Sequence, residues 1–246
     1  MMSHKRALIT GASKGLGLAL ALELARQGWQ LLITARDSKQ LLNAKKALAE
    51  LTEVTAIAGD VRDEVHLLEL ADLLSTKKWS LDLVVNNASY LGATPLSNLL
   101  DHSIDELHLV LHTNMIAPIS LLQKVKPYFN AQAKVVNISS DAAVEAYETW
   151  GGYGGSKAGL DHMTAILDKE NPQYGFYAFD PGDMRTDMHQ AAFPSEDISD
   201  RPLPEEKAVP ALVKLVNSHL PSGRYTTQSE QLLTHQTQDT YANNQQ

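Results

Sequence analysis

The sequence predicts an α/β domain: one doubly wound parallel sheet with helices on both faces. Three observations carry this. Short apolar, β-rich runs alternate with longer segments whose apolar residues recur at helical spacing, the pattern of a parallel sheet covered by helices. A glycine-rich turn stands directly after the first run, where such folds bind phosphate. The chain has 246 residues, 43% hydrophobic and 20% charged, a length that suits one large domain or two small ones and a composition that suits a globule.

Strands are expected at 7–10, 30–35, 54–58, 81–86, 134–139 and 174–180. Between the first two, Leu18, Leu22 and Ala25 mark a helical face over 16–27. Between the second and third, Leu41, Leu42, Ala44, Leu48 and Leu51 do the same over 38–51. Residues 1–228 are read as one domain. Its segment 188–206, rich in proline, serine and acids, is read as a loop or broken lid. Residues 229–246, dominated by Gln, Thr and Asn, are read as a loosely held polar tail.

Composition removes several function classes. Net charge is −8 with no dense Lys/Arg cluster, which disfavours nucleic acid or an acidic membrane as partner. There is no cysteine, so disulfides, thiolate metal sites and thiol catalysis are excluded, as expected of a cytoplasmic protein. No apolar stretch reaches 18 residues, and no membrane span is expected. His108 and His112 stand four apart, but Leu109 occupies the position where a zinc-hydrolase motif needs Glu, and no metal site is assigned.

The turn Thr10-Gly11-Ala12-Ser13-Lys14-Gly15-Leu16-Gly17 joins strand one to helix one. A pyrophosphate held there needs backbone N–H groups at a helix N-terminus and no side chains in the way. Gly11 suits a positive φ, Gly15 admits close approach, and Gly17 lets helix and strand pack. The spacing G-x-x-x-G-x-G differs from the commoner dinucleotide fingerprint. An NAD-specific fold ends its second strand in an acid on the ribose. Here Ala35 stands at that position and Arg36 follows, whose planar fork suits a 2′-phosphate, with Lys14 as a second cation. Asp37 is the contrary signal. NADP(H) is therefore expected over NAD(H).

Tyr153 and Lys157 lie four apart at the start of an apolar helical stretch, which puts phenol and ammonium on one face. The glycines Gly151, Gly152, Gly154 and Gly155 around Tyr153 read as a flexible approach to that helix.

Together these motifs resemble the short-chain dehydrogenase/reductase family. The resemblance runs from about Lys5 to about Met188. Its matches stand in family order: 10–17, Asp60-Val61, Asn86-Asn87-Ala88, Asn114, Ser139-Ser140, Tyr153 with Lys157, and Pro181-Gly182 with Thr186. The resemblance implies a Rossmann-like fold that binds NADP(H) through Gly11, Ser13, Lys14, Gly15, Leu16, Gly17 and Arg36. It implies that Asp60 and Val61 contact the adenine, that Asn87 and Ala88 line the ribose, and that Pro181, Gly182, Met184 and Thr186 border the nicotinamide. Asn114 would hold a helix distortion and a water in a proton relay. Ser140 would orient the substrate carbonyl, with Ser139 as the alternative. Lys157 would bond the nicotinamide ribose and tune Tyr153. Ser89 departs from the pattern, standing where the family usually has Gly.

The chemistry so implied is hydride transfer between nicotinamide and a ketone, aldehyde or secondary alcohol, with Tyr153 as general acid/base. An ammonium ~5 Å from the phenol at effective dielectric ~20 is worth roughly 3 kcal/mol, or about two pKa units, and is expected to bring the phenol toward working pH. A non-catalytic NADP(H) sensor on the same fold is the other reading. The substrate pocket is expected among Tyr90, Leu91, Asp141, Glu145, Tyr147, Trp150, Asp183 and Met184. A homodimer or homotetramer is expected through Leu107, Val110 and Leu111 on one helix and Leu160, Met163 and Ile166 on another.

Overall fold

The computed structural model describes residues 4–234. Seven strands form one sheet in the order β3-β2-β1-β4-β5-β6-β7, with every neighbouring pair parallel. They are β1 Arg6–Thr10, β2 Gln30–Ala35, β3 Val54–Ala58, β4 Leu81–Asn86, β5 Phe129–Ile138, β6 Gly175–Asp180 and β7 Gly223–Thr226. The helices are α1 Gly15–Arg26, α2 Ser38–Ala49, α3 Glu64–Lys77, α4 Ile104–Leu111, α5 Ala117–Val125, α6 Gly151–Glu170, α7 Asp187–Ala192, α8 Ala208–Asn217 and α9 Glu230–Thr234.

The period of two along each strand builds two cores. Ala7, Ile9, Leu31, Ile33, Leu83 and Val85 face α1, α2 and α8. The intervening Leu8, Leu32 and Val84 face α3 and α5. Strands buried on both faces read as unbroken apolar runs, and so five of the six expected strands start within one residue of their observed position. Strand β5 instead begins at Phe129, five residues early, because its first turns run over a half-exposed edge where no apolar run marks it. Strand β7 is new: Gly-Arg-Tyr-Thr carries no strand pattern, yet it closes the sheet by pairing with β6.

Strand order reverses between β1 and β4, and a crevice opens there beyond the carboxyl ends of the strands. The segment read as the start of a polar tail begins with α9, whose Leu232 is 2% exposed in the α8 core; residues 235–246 lie outside the described residues. Among the described residues no helix is long and apolar enough to cross a membrane.

Asp37 is the N-cap of α2, and its carboxylate accepts from the N–H groups of Lys39 and Gln40, both at 2.9 Å. Asp37→Ala is expected to lower stability by about 1 kcal/mol. Urea denaturation of the variant checks this, and an unchanged midpoint would show that the cap contributes nothing.

Candidate active site

The crevice is a cavity of about 840 Å³. Gly11, Ser13, Lys14, Gly15 and Leu16 form one end of it. Gly11 turns the chain at φ +65°, and a Cβ there would sit 2.8 Å from Asn87 Nδ2. Gly17 lies behind the cavity, where a Cβ would meet both Asn87 Nδ2 and Gly11 O at 2.5 Å. Lys14 occupies the N-cap of α1 in extended conformation and offers no side-chain cap. The first N–H groups of α1 therefore face the cavity without a side-chain acceptor, a cradle for an anion.

Asn87 and Ala88 line the cavity, but the Asn87 carboxamide is turned into the turn, donating to Thr10 O at 2.9 Å and Gly11 O at 3.1 Å. Asp60 and Val61 form the wall beside β3. Arg62 grips the Asp60 carboxylate at 2.7 and 3.1 Å, and this pairing holds Asp60 below the usual carboxylate range. Ala35 ends β2 with no acid, and Asp37 is occupied as a helix cap. Arg36 lines the cavity, exposed, with no hydrogen bond or ion pair among the described residues. Lys14 is not equally available, since its Nζ lies 2.6 Å from Asp187 Oδ2 at the start of α7.

At the other end, Tyr153 and Lys157 project from α6, with Ser140 after β5 and Pro181, Gly182, Met184 and Thr186 after β6. The glycines around Tyr153 are not a flexible approach. They lie inside α6, and Gly154 lets the Ala142 carbonyl come within 2.6 Å of where a Cβ would stand. That contact presses the Tyr153-bearing end of α6 against the turn following Ser140. Ser139 and Ser140 both line the cavity; Ser139 is 2% exposed and its hydroxyl has no hydrogen-bond partner among the described residues, whereas Ser140 is half-buried and donates to Asp141.

Asn114 sits in a π-helical turn, His112–Ile116, between α4 and α5. Its carboxamide is saturated. Oδ1 accepts from Tyr90 N at 2.7 Å and Ser89 Oγ at 3.1 Å; Nδ2 donates to Tyr90 O at 2.8 Å and Ser156 Oγ at 3.0 Å. It clamps the loop after β4 to α6.

The expected direction of the phenol's shift is overturned. Burial is the main influence and pushes Tyr153 up to about 12. Burial also pushes Lys157 down to about 8; its Nζ lies 5.5 Å from the Tyr153 ring centre and donates to Ile138 O at 2.7 Å. The attraction of the ammonium is outweighed by the cost of removing both charged groups from water.

Of the expected substrate-side residues, Leu91, Asp141, Trp150, Asp183 and Met184 line the cavity. Tyr90, Glu145 and Tyr147 do not: the Tyr90 hydroxyl donates to Glu106 and that of Tyr147 to Asp141. Trp150 stacks edge-on against Tyr153 at 5.8 Å and packs on Phe193 at 5.8 Å, joining α6 to the 188–206 segment. Sequence reasoning missed Arg224. From β7 it donates to Ser140 O at 2.9 Å, Asp180 at 3.0 Å and Asp161 at 3.0 Å. A lone arginine in a short polar strand carries no sequence signal. Among the described residues no group of three His, Cys, Asp or Glu could hold a metal ion.

Residues 5–197 match the model of the short chain dehydrogenase family. The chain belongs to this family. A benzil reductase forming (S)-benzoin, from Bacillus subtilis, is 31% identical over 189 residues, 74% of this chain and 75% of the relative. An NADPH-dependent pterin aldehyde reductase of Arabidopsis thaliana is 28% identical over 88% of this chain and 90% of its own. A short chain dehydrogenase of Shigella flexneri, solved with NADP, superposes with a TM-score of 0.85 at 24% identity, covering 91% of this chain and 97% of that one. The family membership makes the chain an oxidoreductase on a Rossmann-like fold.

The Lys157 shift carries a stability signature. The folded state releases this proton near pH 8 and the unfolded chain near 10.5, so between them the unfolded chain binds more protons and stability rises with pH. Below pH 8 both states are charged and the penalty is constant. Relative to Lys157→Met, the unmodified protein is expected to gain roughly 2 kcal/mol at most from pH 8 to 10. Urea unfolding across this range measures it, and a flat difference would show that burial does not strain the ammonium.

Proposed function

We propose that the protein is an NADP(H)-dependent reductase of ketones or aldehydes, working in either direction, with Tyr153 as its general acid/base. The observation that carries this reading is convergence. Tyr153, Ser140 and Lys157 share one cavity with an uncapped helix N-terminus and a turn that Gly11 and Gly17 keep packed on Asn87 with no room for a Cβ.

The dinucleotide would lie with its phosphates at Gly11, Ser13, Gly15 and Leu16, its adenine side at Asp60 and Val61, and its nicotinamide end toward Pro181, Gly182, Met184 and Thr186. Asn87 supports the turn, and Ala88 borders the ribose. When bound, the nicotinamide supplies or accepts the hydride. Tyr153 Oη then gives its proton to the oxygen on which negative charge develops, and Ser140 Oγ steadies that oxygen with a second hydrogen bond. Lys157 holds the cofactor ribose and favours the phenolate when Tyr153 has given up its proton. Asn114 sets the relative position of the loop after β4 and α6. Trp150, backed by Phe193, offers an aromatic face beside the phenol, which supports a planar or apolar carbonyl compound, in line with the benzil named for the Bacillus relative.

Arg36 supports the phosphorylated cofactor, as do the NADP of the Shigella structure and the NADPH dependence of the Arabidopsis relative. Residues 188–206 would be the lid of a single catalytic domain spanning 1–228. The assembly would be a homodimer or homotetramer in the cytoplasm. Of the residues expected at its contact, Val110 and Leu160 are buried in their own subunit, whereas Leu107, Leu111 and Met163 are half-buried and Ile166 is exposed, as are Ile104, Leu109 and Ile116 on the neighbouring turns.

Tyr153→Phe is expected to lower NADPH-dependent carbonyl turnover by about two or more orders of magnitude with cofactor affinity retained. Single-turnover absorbance and fluorescence titration measure the two. Near-normal turnover in that variant would refute the mechanism, and tight NADPH binding without turnover of any carbonyl would favour a non-catalytic sensor. NADP(H) is expected to bind at least about tenfold more tightly than NAD(H), with Arg36→Ala removing most of the difference. Equal affinities in the unmodified protein would sink that assignment.

A further inference from the structure

Arg224 of β7 reaches three segments that each carry part of the site. Its Nη2 donates to the Ser140 carbonyl at 2.9 Å and to Asp180 Oδ2 at 3.0 Å, and its Nε donates to Asp161 Oδ2 at 3.0 Å. Each bond falls where the backbone ladder gives no support. The pairing of β5 with β6 ends where the Ser139 N–H donates to the Phe179 carbonyl at 2.7 Å. Pro181 has no N–H with which to continue it. The guanidinium supplies the next bond, on the carbonyl of Ser140. Asp180 is 6% exposed, and its other oxygen accepts from the Gly182 N–H at 2.9 Å, where the chain turns at a φ of +66°. Asp161 stands one turn beyond Lys157 on the same face of α6.

We propose that Arg224 is a positioning residue for the hydride step: its fork sets Ser140 and the Pro181-Gly182 turn against α6, and with them the face that a carbonyl presents to the nicotinamide. This rests on the reading of Tyr153 as proton donor and Ser140 as the partner of the carbonyl oxygen. In reduction the carbonyl carbon takes a hydride from the reduced nicotinamide. The carbonyl oxygen takes the proton of Tyr153, and the electrons of the broken O–H bond stay on the phenolate oxygen. Arg224 transfers nothing.

Three placements have to agree for that step. Tyr153 on α6 and Ser140 after β5 locate the carbonyl oxygen, while the turn after β6 borders the nicotinamide. One planar group touches all three segments, and the directions of its N–H groups are fixed. A lysine offers one point charge and cannot match them. Strand β7 does not need this side chain for its own docking, since its four residues pair with β6 and Tyr225 is buried in the core.

The test compares Arg224→Lys, which keeps the charge and loses the fork, with Arg224→Gln, which loses the charge. Hydrogen exchange of the ligand-free protein comes first. Both variants are expected to exchange at least about fivefold faster at the amides of 140–143 and Gly182, with β1 and β4 unchanged. The handedness of the product comes second. The probe is acetophenone, benzaldehyde or another prochiral carbonyl compound that the unmodified protein reduces, with 4-deuterated NADPH so that an aldehyde also gives a chiral alcohol. The unmodified protein is expected to form one enantiomer in excess. Both variants are expected to lower the enantiomeric ratio by about fivefold and the single-turnover rate per NADPH-binding site by about tenfold. NADPH affinity read by fluorescence is expected to stay within about threefold, because the phosphate turn lies at the other end of the cavity. A smaller folded fraction lowers the rate but leaves the enantiomeric ratio where it was. An unchanged ratio in a folded variant therefore overturns the proposal, as does unchanged exchange at these amides. A racemic product from the unmodified protein overturns it too. So does unfolding of both variants, since Arg224 is then a requirement of the fold. Failure of the unmodified protein to reduce any carbonyl overturns the reading beneath it, and that result is seen before any Arg224 variant is made.

Discussion

The structure depends on the knot that ties β1 to β4. Thr10 Oγ1 accepts from the N–H groups of Asn87 and Ala88, both at 3.0 Å, while the Asn87 carboxamide returns to the carbonyls of Thr10 and Gly11. These are the two strands between which the sheet reverses its order. A parallel sheet splits open there, because the crossovers leave toward opposite faces. Without cross-links the ends of β1 and β4 would present unpaired backbone groups to the crevice. The knot satisfies them and fixes the glycine turn relative to the loop bearing Ser89 and Tyr90. The two ends of the crevice, to which phosphate binding and proton transfer are assigned in the proposed function, are thereby held in one frame.

The degree to which this was readable from sequence follows the physics of each part. Strands buried on both faces announce themselves as apolar runs, and the glycine turn is marked because its backbone conformations exclude other residues. Tyr153 and Lys157 were readable because a helix places residues four apart on one face. The roles of Asn87, Asp37 and Arg224 were not. Each acts through a partner distant in sequence or through a cap whose identity depends on where a helix begins. Asp37 shows the difficulty well. Sequence alone weighs it as a ribose acid, and only the start of α2 at Ser38 commits its carboxylate to Lys39 and Gln40. Val110 and Leu160 belong to the same class of error: an apolar arc does not say whether it covers a neighbouring subunit or its own sheet.

The charges behind the site form a second layer. Arg224 joins Asp161, midway along α6, to Asp180 at the end of β6 and donates to the Ser140 carbonyl. Burial raises Asp161 despite this pairing, and Asp161 in turn supports the charged form of Lys157 one helical turn away. An ion cluster of this kind adds little net stability, since desolvation offsets attraction. Its value is geometric. The guanidinium fork can satisfy a carbonyl and two carboxylates in one plane, which a lysine cannot. The last strand of the sheet thereby orients a serine that lies 84 residues earlier in the chain.

The Lys14–Asp187 pair is made of side chains 58% and 77% exposed, and it spans from the glycine turn to the first residue of α7. Ion pairs so exposed contribute about 1 kcal/mol or less and are screened over roughly 8 Å at physiological salt. The clasp is therefore weak enough for another anion at the turn to exchange with Asp187 at little cost. The glycine turn and the start of α7 are thus joined through a single exposed lysine. Ionic strength, acting on that lysine alone, sets how tightly the two are held.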